Sequence, residues 1–255
     1  MNYTKIDLKE HGTLTCCEHT RMKEMPDKER PALLVLPGGA YEFCSEREGE
    51  PVALWFYGRG YNTYVLEYPI DEKAKYPDQL VAAAYAMHTI RARAKETRTD
   101  TTKVFAMGFS AGGHLCGCLL NCDPALPCVK AYDFKPNGGV LCYPVIGGDK
   151  THSQSFKNLL KGQSVPWLDL LTSGRSDNPP AFVWTTADDD AVPAVNSIAY
   201  AKAYADKGLK YALHIFPHGR HGLSLADSAT NADLSDVDPH ISLWAHLADA
   251  FLKTL

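Results

Sequence analysis

The sequence predicts an α/β fold with a mainly parallel central sheet and helices on both faces. Three observations carry this reading. Short apolar runs of strand length alternate with longer segments of helical periodicity. The turn Gly108-Phe109-Ser110-Ala111-Gly112 lies between one such run and one such segment. The 255 residues contain no repeat, charge block or linker, so a single domain is expected over 1–255.

The elements follow in order. Tyr3 to Cys17 is expected to form a hairpin turning at His11-Gly12 on the sheet edge. Ala32 to Leu36 is a buried strand, stopped by Pro37-Gly38-Gly39. Glu50 to Tyr57 has helical character, and Gly58 and Gly60 end it. Tyr61 to Tyr68 is rich in β-branched and aromatic residues, which favours a strand. Leu80, Ala83, Met87 and Ile90 recur at helical spacing. Lys103 to Met107 is a strand, and Ala111 to Leu120 is a helix apolar on most sides. Further strands are expected at Gly139 to Tyr143, Ala181 to Thr186 and Tyr211 to Phe216. A helix over Pro193 to Lys207 has proline near its start and Gly208 just past its end. The last helix begins near Asp238-Pro239 and buries Ile241, Trp244, Ala248 and Phe251. The stretch 144–180 breaks the alternation, with one short helical candidate at Phe156 to Lys161. A connection this long reads as a small lid, a plain loop being the alternative.

Hydrophobic residues make up 45% of the chain and charged residues 22%, which argues against disorder. The net charge of -4 offers no basic excess for a phosphate backbone, so nucleic-acid binding is not expected. No apolar run approaches the ~18 residues of a membrane span. The first ten residues hold no apolar stretch that could be a signal-peptide core, so a cytoplasmic protein with reduced cysteines is expected. Cys116, Cys118 and Cys122 lie in an apolar segment, where cysteine acts as a small hydrophobe. Their spacing, with Cys128, does not repeat as paired zinc ligands do, and no metal is expected.

The chemistry concentrates on Ser110. A Gly-x-Ser-x-Gly turn between strand and helix lifts the serine to the carboxyl edge of the sheet, at a helix N-terminus that favours developing negative charge. A chain of this composition would contain the pattern by chance about 0.07 times. A serine hydroxyl needs a base. Among the histidines, His221 follows a late strand inside His218-Gly219-Arg220-His221-Gly222, where glycines let a loop carry the ring over the sheet edge. His218 is its rival, while His214 and His114 read as packing residues. The imidazole needs an acid to orient it, and Asp188, Asp189 and Asp190 follow a strand end. Spacing alone does not choose among them, and they could instead hold a metal ion. Pro37-Gly38-Gly39-Ala40-Tyr41 supplies small residues at another strand end, where backbone N–H groups could meet an oxyanion with that of Ala111.

These residues resemble the α/β-hydrolase superfamily, and within it the small bacterial acetyl esterases and acetyl-xylan esterases. The resemblance runs through Leu36 to Tyr41, Arg47 to Ala53, Gly60 to Asn62, Val65 to Tyr68, Gly108 to His114, Ala187 to Pro193 and His221-Gly222. It implies an α/β-hydrolase fold with a short lid insertion. It places the acid of D-x-x-V-P on Asp189, the base on His221, and the oxyanion donors on Gly39, Ala40 and Ala111. The H-G-G-G of hormone-sensitive-lipase relatives appears here as Pro37-Gly38-Gly39-Ala40, which leaves the choice among Gly38, Gly39 and Ala40 open. The expected activity is serine carboxylester hydrolysis without a cofactor, removing short acyl groups, acetyl foremost, from a small-molecule ester such as an acetylated sugar. Tyr41 is expected to bind substrate, and Trp167 and Tyr143 are further candidates to stack on a sugar, a place in the core being an equal alternative for each. A peptidase or thioesterase with the same triad, a metal-dependent hydrolase, or a non-catalytic binding protein on this fold are the alternatives. No membrane partner is expected, and the oligomeric state is left open.

Overall fold

A computed structural model of the chain describes residues 1–70, 74–147, 152–163 and 175–255. Eight strands form one sheet in the order β1-β2-β4-β3-β5-β6-β7-β8. They are β1 (Asn2–Asp7), β2 (Thr13–Glu18), β3 (Arg30–Leu36), β4 (Asn62–Glu67), β5 (Thr99–Phe109), β6 (Gly139–Cys142), β7 (Ala181–Thr186) and β8 (Tyr211–Phe216). The N-terminal hairpin is antiparallel, pairs antiparallel with β4, and turns at a Gly12 of φ +93°. A side chain on Gly12 would also run into the Glu67 carbonyl, so this turn needs glycine. From β4 to β8 every pairing is parallel. That matches the sequence expectation of a mainly parallel sheet.

A parallel sheet must be covered on both faces, so its central strands are apolar throughout rather than alternating with polar residues. Ala32 to Leu36 and all of β7 are buried. Alternate residues still point to opposite layers. Leu34, Leu36, Val104 and Ala106 pack on one side with α2 (Asp78–Ala92), α4 (Ser110–Asn121) and α6 (Val195–Asp206). Leu33, Val35, Phe105 and Met107 pack on the other with α1 (Glu50–Tyr57) and α7 (Pro239–Leu252). Asp238 caps α7 by accepting from the His240 and Ile241 N–H groups, with Pro239 at the first helical position.

Two elements differ from expectation. β5 begins at Thr99 rather than Lys103, because the polar Thr99–Thr102 segment pairs with β3 only past a register shift between Arg30 and Ala32. A four-residue α3 (Ala94–Thr97) precedes it, too short to leave a periodic signal. In the 144–180 stretch, α5 (Ser153–Leu160) stands where the helical candidate was placed. Trp167 lies outside the described residues. All eight cysteines are free thiols. Among the described residues no helix is long and apolar enough to cross a membrane.

The parallel arrangement brings the carboxyl ends of β3, β5, β7 and β8 to one edge of the sheet, where α/β folds bind ligands. Beneath that edge Trp184 and Trp244 are fully buried and stacked, with ring centroids 5.1 Å apart. The Trp244 Nε1–H donates to the Ser224 carbonyl at 2.9 Å, so this core holds the loop that follows β8. Trp244→Ala is expected to lower the unfolding free energy by about 3–5 kcal/mol, read by urea denaturation.

Candidate active site

Ser110 opens α4 directly after β5 with φ +51°, a conformation that non-glycine residues seldom hold. It is kept there by close backbone packing. A Cβ on Gly108 would overlap the Gly112 carbonyl, and one on Gly112 would overlap the carbonyls of Leu36 and Pro37. The glycines flanking the serine are therefore the condition for bringing β5, α4 and the end of β3 together.

His221 reaches Ser110 from the loop after β8. Its Nε2 lies 2.8 Å from Ser110 Oγ, and its Nδ1 lies 2.8 Å from Asp189 Oδ2. The other oxygen of Asp189 accepts the N–H groups of Ala191 and Val192 at 3.0 and 2.7 Å. The carboxylates on either side take different tasks. Asp190 accepts the His221 N–H, and Asp188 accepts the Gly219 N–H while pairing with His218. These donors hold the Asp188 and Asp190 carboxyls below the ordinary range. All three aspartates thus fix the loop 218–221. His218 is exposed and faces Asp188 rather than Ser110. His214 stacks on Phe182.

The turn after β3 is clamped at each of its carbonyls from Pro37 to Ala40. Tyr68 Oη donates to the Pro37 carbonyl, Ser45 N–H to the Gly38 carbonyl, and the N–H groups of Glu42 and Phe43 to the Gly39 carbonyl. From the 144–180 stretch, Asn158 Nδ2 donates to the Ala40 carbonyl at 2.9 Å. Gly39, Ala40 and Tyr41 all have positive φ. The N–H groups of Gly39 and Ala40 donate to no group among the described residues. Both residues line a cavity of about 230 Å³ with Phe43, Glu48, Ser110, His152 and His221. A wider groove of about 930 Å³ shares Ser45 and Arg47 with it and runs along the N-terminal hairpin past Tyr3, Lys5 and Glu67.

Tyr41 departs from its expected substrate contact, and Tyr143 takes the core alternative. Tyr41 does not line the cavity: it is 3% exposed, and its hydroxyl is hydrogen-bonded to His114 Nδ1 at 2.8 Å. Its backbone belongs to the turn, while its ring belongs to the core. Tyr143 is equally buried and donates to Glu48 Oε1 at 2.7 Å. Glu48 was not singled out from the sequence as a site residue. The signal available was its place in Arg47-Glu48-Gly49, within the segments that carry the resemblance. Phe43, 56% exposed at the cavity, left no signal distinct from any loop aromatic.

A family model described as BD-FAE matches residues 21–121. An alpha/beta hydrolase from a Medee basin deep-sea metagenome library is 31% identical, covering 100% of this chain and 97% of that one, with a TM-score of 0.84. The acetyl ester-xyloside bifunctional hydrolase of Caldicellulosiruptor lactoaceticus is 32% identical, covering 95% and 87%, with a TM-score of 0.81. The chain belongs to the esterases of the α/β-hydrolase superfamily. The acetylxylan esterase of Xylanibacter ruminicola is 30% identical over 205 residues, covering 75% of this chain. The chain spans 34% and 40% of the length of two curated relatives that it matches.

Within this α/β hydrolase His114 is a buried neutral ring, and burial pulls its pKa down to about 3. The unfolded chain takes up a proton near pH 6.5 that the folded chain refuses until about pH 3. Stability therefore falls as the pH drops through that window. In His114→Gln, which keeps a partner for Tyr41, this component of the slope, up to about 1.4 kcal/mol per pH unit, should vanish. Denaturant titrations of both proteins between pH 7 and pH 4 measure it. Equal slopes would contradict the burial argument.

Proposed function

We propose that this chain is a serine carboxylesterase that removes short acyl groups, acetyl foremost, from an alcohol of carbohydrate character. The observation that carries the reading is the hydrogen-bonded chain Ser110–His221–Asp189, set in a cavity beside the N–H groups of Gly39 and Ala40, which meet no acceptor among the described residues. In the attack, Ser110 Oγ bonds to the ester carbonyl carbon as its proton passes to His221 Nε2. Asp189 accepts from Nδ1–H, which fixes the tautomer and stabilises the imidazolium. The carbonyl oxygen becomes an oxyanion in front of the Gly39, Ala40 and Ala111 N–H groups, where each donor lowers the barrier by about 3 kcal/mol. His221 then gives its proton to the leaving alkoxide. Water, deprotonated by His221, hydrolyses the acyl-enzyme and restores Ser110.

The cavity size favours an acetyl or similarly short group over a long acyl chain. Two relatives, an acetylxylan esterase and an acetyl ester-xyloside bifunctional hydrolase, support a sugar as the alcohol. The adjoining groove, lined by charged and hydroxyl side chains, has room for one. Asn158 on the turn and His152 at the cavity wall support residues 152–160 as a cover for this site.

Hydrolysis of p-nitrophenyl acetate is expected to fall at least about 10⁴-fold in Ser110→Ala with the fold retained, and labelling by a fluorophosphonate to be lost with it. Across acetyl to octanoyl esters, kcat/KM should decline with chain length. Acetylated xylo-oligosaccharides should release acetate. Turnover that survives Ser110→Ala would sink the mechanism, and a rise toward octanoyl would sink the acyl preference.

A further inference from the structure

We propose that Glu48 is a positioning residue for this reaction, acting through Gly38 on the oxyanion turn and through Tyr143 on the wall beside His221. The inference rests on the esterase reading above. Glu48 is 3% exposed, and no arginine or lysine among the described residues forms an ion pair with it. An unpaired buried carboxylate is costly unless both oxygens are hydrogen-bonded. Here they are. Oε2 accepts the Gly38 N–H at 2.8 Å, and Oε1 accepts the Tyr143 hydroxyl at 2.7 Å.

The direction of the second bond is fixed by a third. Tyr143 Oη accepts the Ser224 N–H at 3.0 Å, so its own proton points to Glu48. Burial holds the Glu48 carboxyl above the usual carboxylate range, against the opposing pull of these two donors and of the nearby His221 and Arg47. Gly38 leads directly into Gly39 and Ala40. A Cβ at Gly38 would lie 2.6 Å from Glu48 Oε2, so the glycine is what lets the carboxylate close on the backbone. On the other side, the Tyr143 ring stands edge-on to His221 with centroids 5.0 Å apart. The neighbouring Arg47 carbonyl accepts from Ser224 Oγ at 2.6 Å, and the Arg47 guanidinium bonds the Thr230 carbonyl and Asn231. The short turn Glu46–Glu48 therefore ties the oxyanion turn to the loop that carries His221.

The test compares wild type, Glu48→Gln and Tyr143→Phe on p-nitrophenyl acetate, with active sites counted by fluorophosphonate titration. An aryl trifluoromethyl ketone, whose adduct places an oxyanion in the same hole, reports on the hole directly. Glu48→Gln turns one accepting oxygen into a donor. It should lower kcat per titrated site about 30-fold with KM within about threefold, and weaken ketone inhibition by the same factor as kcat/KM. Tyr143→Phe should lower kcat about fivefold with the same parallel. If the glutamine variant does not fold, the phenylalanine variant decides alone. Unchanged kcat per site and unchanged ketone affinity in the folded variants would overturn the proposal, because a merely structural role reduces only the number of sites. A wild type with no ester turnover would overturn the esterase reading, and this inference with it.

Discussion

No Cβ fits at Gly112, because the turn between β5 and α4 rests on the carbonyls of Leu36 and Pro37, and none fits at Gly108, because the turn folds back onto the Gly112 carbonyl. That contact is between backbone and backbone, so side-chain repacking cannot substitute for it. It sets three things together. It goes with the positive φ of Ser110, it starts α4 at the serine with its N-terminal dipole toward the cavity, and it brings the turn after β3 beside Ser110. Gly38 belongs to the same contact, since a Cβ there would press on the Phe109 carbonyl and on Ser110 itself. The parallel sheet makes this possible by ending β3 and β5 at the same edge, with Leu36 paired to Gly108.

Around that contact, carboxylates serve mainly as acceptors for backbone N–H groups. Asp188, Asp189 and Asp190 together accept from Ala191, Val192, Gly219 and His221. Glu48 does the same for Gly38 from the opposite wall. An ionised carboxylate can take several such donors, and charge-assisted bonds of this kind are about twice as strong as neutral ones. The consecutive aspartates are thus explained without a metal. Each satisfies a different part of two loops whose amides have no strand or helix to pair with.

Much of this was legible in the sequence because it is local. The strands from Ala32 to Phe216 announce themselves as short apolar runs. The Ser110 turn announces itself because tight backbone packing admits only small residues. Residues brought together from distant segments were legible only through resemblance. Nothing in the spacing separates Asp189 from its neighbours, because the difference lies in which oxygen meets His221 Nδ1. Tyr41 was misread for a related reason. Its neighbours Gly39 and Ala40 face the cavity, but a positive φ turns the chain at that point and sends the ring inward to His114. Glu48 escaped because a charged residue in a polar loop looks solvated until its burial is known.

Of the nine non-glycine residues with positive φ among the described residues, six lie around this edge. Ala40, Tyr41, Ser110, Tyr143, Ser224 and Ala226 all have positive φ, and each such residue costs on the order of 1–3 kcal/mol. A turn in that state persists only if its surroundings over-determine it. Here they do so unevenly. The carbonyls of residues 37–40 are each held by a donor, whereas the N–H groups of Gly39 and Ala40 meet no acceptor among the described residues. If the clamps served stability alone, there would be no reason to leave the donors out, since an unmet donor is itself unfavourable. The pattern makes sense if the missing acceptor is an oxygen that arrives with the substrate and carries most charge in the transition state. The fold then meets the cost of orienting those donors when it forms, and nothing has to reorganise when the bond breaks.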